Sequence, residues 1–182
     1  MEAFGGAIRL VERTYLDSGS SSREQQVIEI IAYSVPGAQG SKRFVGHSKK
    51  TGRAILVENS AKVKPWRESV VYAAVEVLDK RGNQGLIGAI GCELIFTLPK
   101  PKSAKRDAVP AKAPDLDKLC RSTFDALTTA GVWEDDSRVV LLHAAKRYPN
   151  EGKDALPRPG AVIRVRALNE VQNRDKEIQN LL

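Results

Sequence analysis

Two apolar, β-branched runs, LIGAIGCELIFTLP (86–99) and SRVVLLHAAKRY (137–148), flank a segment of different period. Within that segment Leu116, Leu119, Cys120, Thr123, Phe124 and Leu127 recur at intervals of three and four, which gathers them on one helical face, and Gly131 stands where such a helix stops. A helix with a single apolar face has to bury it, and the neighbouring runs read as strands that supply the surface.

The rest of the chain repeats this alternation. VIEIIAYSV (27–35) reads as a buried strand leading through PGAQGSK into a basic loop. Asn59 or Ser60 can cap a helix in which Val63, Trp66, Val70, Ala73, Ala74 and Val77 share a face, with Pro65 in its first turn. Glycines within 86–99 mark a bulge, and AVIRVRAL (161–168) alternates as a last strand. The order β-α-β-α-β-β predicts the α/β (α+β) class, with one small mixed sheet packed by two helices. A chain of 182 residues suits one such domain. It covers 27–168. Residues 1–26 are a serine-rich extension with at most one short strand around Ile8 and Leu10, and 169–182 form a C-terminal helical tail. Leu168, Val171, Ile178 and Leu182 make an apolar stripe there, suited either to dimerisation or to a short frayed helix.

Charge is segregated along this framework. The net charge is +7, and residues 41–67 carry Lys42, Arg43, Lys49, Lys50, Arg53, Lys62, Lys64 and Arg67 against Glu58 alone. A second basic run, 100–112, holds Lys100, Lys102, Lys105, Arg106 and Lys112 against Asp107. Residues 113–140 reverse the balance, with Asp115, Asp117, Asp125, Glu134, Asp135 and Asp136 against Lys118, Arg121 and Arg138. Basic loops that track a polyanion beside an acidic centre suggest phosphate chemistry.

Cys92 and Cys120 are too few for a disulfide framework or a four-cysteine zinc site, and with only His47 and His143 a histidine-rich metal centre is excluded. Any metal is then a hard cation held by oxygen. No run reaches the ~20 apolar residues of a membrane helix, and the start lacks a basic region before an apolar one. The cytoplasm is the expected location.

Residues two apart on a helix point roughly 200° apart, so Asp115 and Asp117 share one side only if extended. Pro114 disfavours helical backbone before it, and Asp117 can cap the helix, so Asp-Leu-Asp reads as an extended entry with Leu116 turned inward. The helix and returning strand then carry Asp135 and Asp136 back toward that entry. Clustered carboxylates repel unless a cation intervenes, and Mg2+ with few carboxylates and several waters suits phosphodiester hydrolysis. Acids at helix starts and turns are commonplace as caps and solvated turns, so the bare Asp-x-Asp spacing does not by itself specify a metal site, and mid-helix Asp125 reads as solvent-facing.

The ordered run DLDKLCRSTFDALTTAGVWEDDSRVV resembles the signature of the RusA-type Holliday-junction resolvases of phages and prophages: Asp-Leu-Asp-Asn-Leu, a helix with Phe-Asp-Ala-Leu, then Gly-x-x-x-Asp-Asp-x-x-Val. Weaker resemblance covers 27–166. It implies a homodimeric endodeoxyribonuclease that uses Mg2+ or Mn2+ to nick opposing strands of branched, four-way DNA during recombination and repair. It assigns metal binding to Asp115, Asp117 and Asp136, with Asp135 as an additional ligand or supporting partner. The family's functional lysine falls on Arg121, which is always charged and grips phosphate in bidentate fashion but does not readily exchange a proton. Should proton transfer be needed, Lys146 inherits it. Lys118 stands where the family has asparagine.

For DNA contact the expectation falls on Lys42, Arg43, Lys49, Lys50 and Arg53 in the first basic segment, Lys100, Lys102, Lys105 and Arg106 in the second, and Arg147, which with Lys146 could reach one phosphate. Trp66 and Trp133 read as core rather than as base-stacking platforms, and His143 as a structural residue. Two alternatives stay open: a non-catalytic nucleic-acid-binding protein on the same scaffold, and a nuclease selective for flaps or forks.

Overall fold

The computed structural model describes residues 27–40, 43–48, 50–57 and 61–168. The strand near Ile8, the caps Asn59 and Ser60, Lys42, Lys49 and the tail lie outside them. In order the elements are β1 (Val27–Ala32), β2 (Arg43–His47), β3 (Ala54–Val57), α1 (Val63–Asp79), β4 (Ile90–Thr97), α2 (Leu116–Thr129), a 3-10 turn (Asp136–Arg138), β5 (Val139–Arg147) and β6 (Gly160–Ala167). This is a mixed α+β domain. Its main sheet runs β1-β6-β4-β5, antiparallel except for the parallel β4–β5 pair.

Period decides which residues enter the core. Along β1, β6 and β4 alternate positions, among them Ile28, Ile30, Ile163, Val165, Leu94 and Phe96, are buried toward the helices. Trp66, Val70, Ala74 and Val77 on α1 and Leu119, Cys120, Ala126 and Leu127 on α2 meet them. Trp66 is fully buried, donates from Nε1 to Thr123 Oγ1 at 3.1 Å and tilts against Phe96; replacing such a side chain by alanine costs about 3–5 kcal/mol. Trp133 is likewise core, edge-on to Phe124 with Nε1 donating to Thr128 Oγ1. Gly131 adopts φ 76° and ends α2, while the Val132 N–H closes back on Leu127 O at 3.0 Å.

On the opposite face Ile95, Val162 and Leu156 form a smaller cluster beneath the β5–β6 connection. Arg164 pins that connection. It donates to Glu29 on β1, Glu93 on β4 and, with two nitrogens, to Asp154 in the connection, at 2.6 to 2.9 Å.

Two expectations need correction. The basic segment after β1 is not a loop throughout: Arg43–His47 and Ala54–Val57 pair as an antiparallel hairpin, because its apolar stretches FV and AILV have the β-branched character of strands and Gly52, at φ 66°, lets the chain reverse. The bulge expected from the glycines of β4 does occur, but the register shift at Ile90/Gly91 puts the extra residue, Val140, in β5.

Candidate active site

The β4–α2–β5 unit builds the site. Asp115 is the residue before α2, extended at φ −68° and ψ 138°, and Asp117 lies inside the first helical turn. The expected extended Asp-Leu-Asp entry is therefore shorter by two residues. Pro114 restrains only what precedes it, and a carboxylate in a first turn is stabilised by the helix dipole, so nothing delays the helix to Asp117. Asp115 does not cap the backbone. Its Oδ2 accepts from Lys118 Nζ at 2.8 Å, and this hydrogen bond, then the charge of Lys118 and more weakly that of Lys146, hold its carboxyl below the usual range. Asp115 in turn raises the Lys118 ammonium.

One turn on from Asp117, Arg121 is exposed on α2. Both line an open groove of about 550 Å³ between α2 and β5, together with Leu116, Cys120, Phe124, Asp136, Leu142 and Ala144. Burial, and then the Asp117 charge, push the Cys120 thiol up to about 11, so it is no nucleophile. Asp136 begins the 3-10 turn before β5 and faces this groove. Asp135 does not line it. Its Oδ1 accepts from the Ser137 N–H at 2.9 Å, and the Ser137 side chain first, then this backbone bond, lower its pKa.

The expected convergence of four carboxylates is not assembled within one chain. Among the described residues no three His, Cys, Asp or Glu side chains gather closely enough to hold one ion. Connectivity explains this. Lys146, near the end of β5, donates from Nζ to Lys112 O at 2.9 Å and Pro114 O at 3.0 Å, so the start of α2 lies beside the end of β5. Asp135 and Asp136 precede the start of β5, at the strand's other end. The groove runs between, with Arg121 and apolar side chains along it.

The basic residues divide by what they touch. Lys50 and Arg53 are exposed at the hairpin turn, where Ser48 N–H donates to Arg53 O at 2.8 Å; Arg43 opens β2. Lys102, Lys105 and Arg106 are exposed, and their charged ends form no ion pair with a described residue. Lys100 differs: it bonds Glu151 and Arg106 O and lies over the Tyr148 ring, so its charge ties the loop before α2 to the loop after β5. Lys146 and Arg147 cannot share a phosphate, since neighbours along a strand point to opposite faces; the Arg147 side chain packs beside Gly152. His143 is exposed on β5. Asp125 is not merely solvent-facing but pairs with Arg67 on α1 at 3.4 Å.

Pattern reading missed a strap. Ser122 Oγ donates to Gly37 O, and Gln39 N–H donates to Lys118 O at 3.0 Å, which fastens the segment after β1 along α2. Gly37 is also pressed against Lys62 and Val63 at the start of α1, where any side chain would collide with backbone. A buried serine on an otherwise apolar helical face, Ser122, is the one trace this leaves in the sequence.

A family model described as Endodeoxyribonuclease RusA matches residues 25–156. No curated protein matches the chain.

Proposed function

The chain belongs to the RusA endodeoxyribonuclease family, and on that premise we propose that it is a magnesium- or manganese-dependent, homodimeric enzyme that resolves four-way DNA junctions in recombination and repair, within a phage or prophage setting. The observation that carries the proposal is the groove along α2 and β5 that Asp117, Arg121 and Asp136 share. Its donors are exposed carboxylate oxygens, the chemistry a hard cation takes. Asp117 and Asp136 face the groove and Asp115 and Asp135 flank it; as these four do not close on one point within a chain, an ion there would complete its shell with waters or phosphate oxygens. A bound ion supplies an acidified water and charge compensation at the phosphate.

The protein's own groups carry the remaining work. Arg121 reaches the groove with a planar, permanently charged fork that grips phosphate oxygens without exchanging protons. Lys118 shields Asp115 from an approaching polyanion, so the acidic entry does not repel DNA. Lys146 is a positioning residue: its ammonium holds the two carbonyls just before Asp115. Lys50, Arg53, Lys102, Lys105 and Arg106, with Lys42, Arg43 and Lys49, supply backbone contacts that bind without reading bases.

A synthetic four-way junction and a linear duplex of the same sequence, each incubated with Mg2+, test the activity. The junction alone is cut, and Asp117→Asn abolishes cutting while leaving binding intact. Equal cutting of both substrates removes junction selectivity; retained cutting by Asp117→Asn removes the metal assignment. Arg121 in place of lysine favours one rival, a binding protein on the same scaffold. Salt-sensitive junction binding with no turnover in any divalent metal would establish that rival, and a panel of flaps and forks separates a nuclease of those structures.

A further inference from the structure

Resting on the metal-nuclease reading above, we propose that Lys118 is an exchange residue: without DNA its ammonium occupies Asp115, and an arriving phosphodiester takes the ammonium over and frees Asp115 for the divalent ion, so that DNA and metal load together.

The acids are not equally available. Asp115 Oδ2 accepts from Lys118 Nζ at 2.8 Å, across the first turn of α2, whereas no ion pair with a described residue holds Asp117 or Asp136. One monovalent cation therefore already compensates the entry to the helix. A divalent ion approaching Asp115 meets that positive charge first. It also finds too few protein oxygens, since among the described residues no three His, Cys, Asp or Glu side chains gather to hold one ion.

The pair exchanges easily. Its two side chains are 43% and 55% exposed, and pairs so exposed contribute little to stability. The backbone beneath is fixed by contrast: Lys118 O accepts from the Gln39 N–H at 3.0 Å, and the Leu119 N–H donates to Asp115 O at 3.1 Å. The ammonium thus swings on a flexible stem from a held base, and no part of the helix has to unfold. Neither other cation of this region can act in the same way. Lys146 is held on the Lys112 and Pro114 carbonyls, and Arg121 lines the groove without an ion pair to any described residue, so neither has a carboxylate to release.

A phosphodiester shifts the balance. Its anionic oxygens accept from the ammonium and are at the same time hard ligands for a divalent ion. Once Lys118 has moved, every charge keeps a partner, the ammonium on phosphate and the Asp115 carboxylate on the ion. Coupling of this kind is reciprocal, so whatever DNA does for metal affinity the metal does for DNA affinity.

Two measurements in which no strand is cut test this on full-length wild type, Lys118→Met and Lys118→Arg. Mn2+ is titrated without DNA and followed by electron paramagnetic resonance, with Asp117→Asn marking the binding that belongs to this site. Junction affinity is followed against salt by fluorescence anisotropy in EDTA. Lys118→Met should bind Mn2+ about three- to tenfold more tightly than wild type, because a competing unit charge is gone. On metal-free junction DNA the same variant should lose about 0.9 from the slope of log binding constant against log salt, the signature of one phosphate contact. Lys118→Arg keeps the cation and should match wild type in both. Unchanged Mn2+ affinity in Lys118→Met shows that Lys118 does not compete for Asp115 and overturns the proposal. A tighter Mn2+ site with an unchanged salt slope overturns it as well, since Lys118 then only repels the ion and never passes to phosphate. In both cases Asp117-dependent Mn2+ binding leaves the metal-nuclease reading standing. Absence of Asp117-dependent Mn2+ binding in every chain removes that reading, and the proposal with it.

Discussion

Replacing Lys146 by methionine keeps most of the aliphatic stem and deletes one ammonium, so its effect isolates the two hydrogen bonds to Lys112 O and Pro114 O. A charged donor to a carbonyl contributes about 1.5–3 kcal/mol where water is excluded. The Pro114 bond is partly buried and the Lys112 bond exposed, so the first counts near the low end of that range and the second about 0.5 kcal/mol, for a sum of about 2 kcal/mol. The loss falls on the segment between β4 and α2, which has no regular structure of its own. Opening of that segment, read by amide hydrogen exchange across 98–115, should rise roughly 30-fold. Junction cutting should fall by about tenfold or more, because Asp115 then leaves its position for much of the time. Lys146→Arg discriminates the mechanism: arginine can donate to the same carbonyls but cannot serve as a proton shuttle. Exchange within twofold of the wild type in Lys146→Met refutes the pinning argument. So does a Lys146→Arg variant that is inert although its exchange is normal, an outcome that would return Lys146 to proton transfer.

Two further outcomes follow from the other charge assignments. Arg164→Met should cost about 3–5 kcal/mol in urea denaturation, since it removes the cation shared by three mostly buried carboxylates. The hydrogen bond to Asp154 first, with Glu93 and Glu29 behind it and against the opposing effect of burial, raises the guanidinium pKa above its ordinary range. A base raised in the folded state stabilises fully below its unfolded pKa and loses that contribution only in strong alkali, so the deficit should persist between neutral pH and about pH 9; a loss below about 1 kcal/mol contradicts it. Changing Lys102, Lys105 and Arg106 to glutamine should reduce the slope of log binding constant against log salt by about 0.9 per contact, whereas Lys100→Gln should leave it unaltered, because Glu151 already holds that charge. Equal slopes for the two variants, measured by fluorescence anisotropy on a junction, would show that the loop charges do not contact phosphate.

What the sequence made legible was local. The period of α2 and its Gly131 stop are properties of a single run of residues, and so are the β-branched strands. The hairpin escaped because its two strands are short, five and four residues, and are embedded in lysines and glycines that argue for a loop. The fate of Lys100, the face of Arg147 and the partner of Asp125 depended on elements remote in sequence, Glu151 and Arg67 among them, which no spacing announces. Most of all, the acids could be recognised as a set but not placed. A helix followed by a strand returns the chain to the same face, yet it also reverses direction, so residues at the helix start and residues before the strand arrive at opposite ends.

That reversal also explains why the positive segments sit where they do. The strap of Gly37 and Gln39 fastens the root of the basic hairpin to Lys118 and Ser122 on α2, within the two turns that carry Asp117 and Arg121. The second basic segment ends at Pro114, held by Lys146 immediately before Asp115. Both cationic arms are therefore anchored at the start of α2 and not at the Asp136 end of the groove. A phosphate drawn in by these arms arrives at Asp115 and Asp117 first. Within one chain it would find two carboxylates, one of them already paired with Lys118, beside a permanently charged Arg121. An arrangement so unbalanced favours capture of the anion, with Asp136 left at the groove's other end.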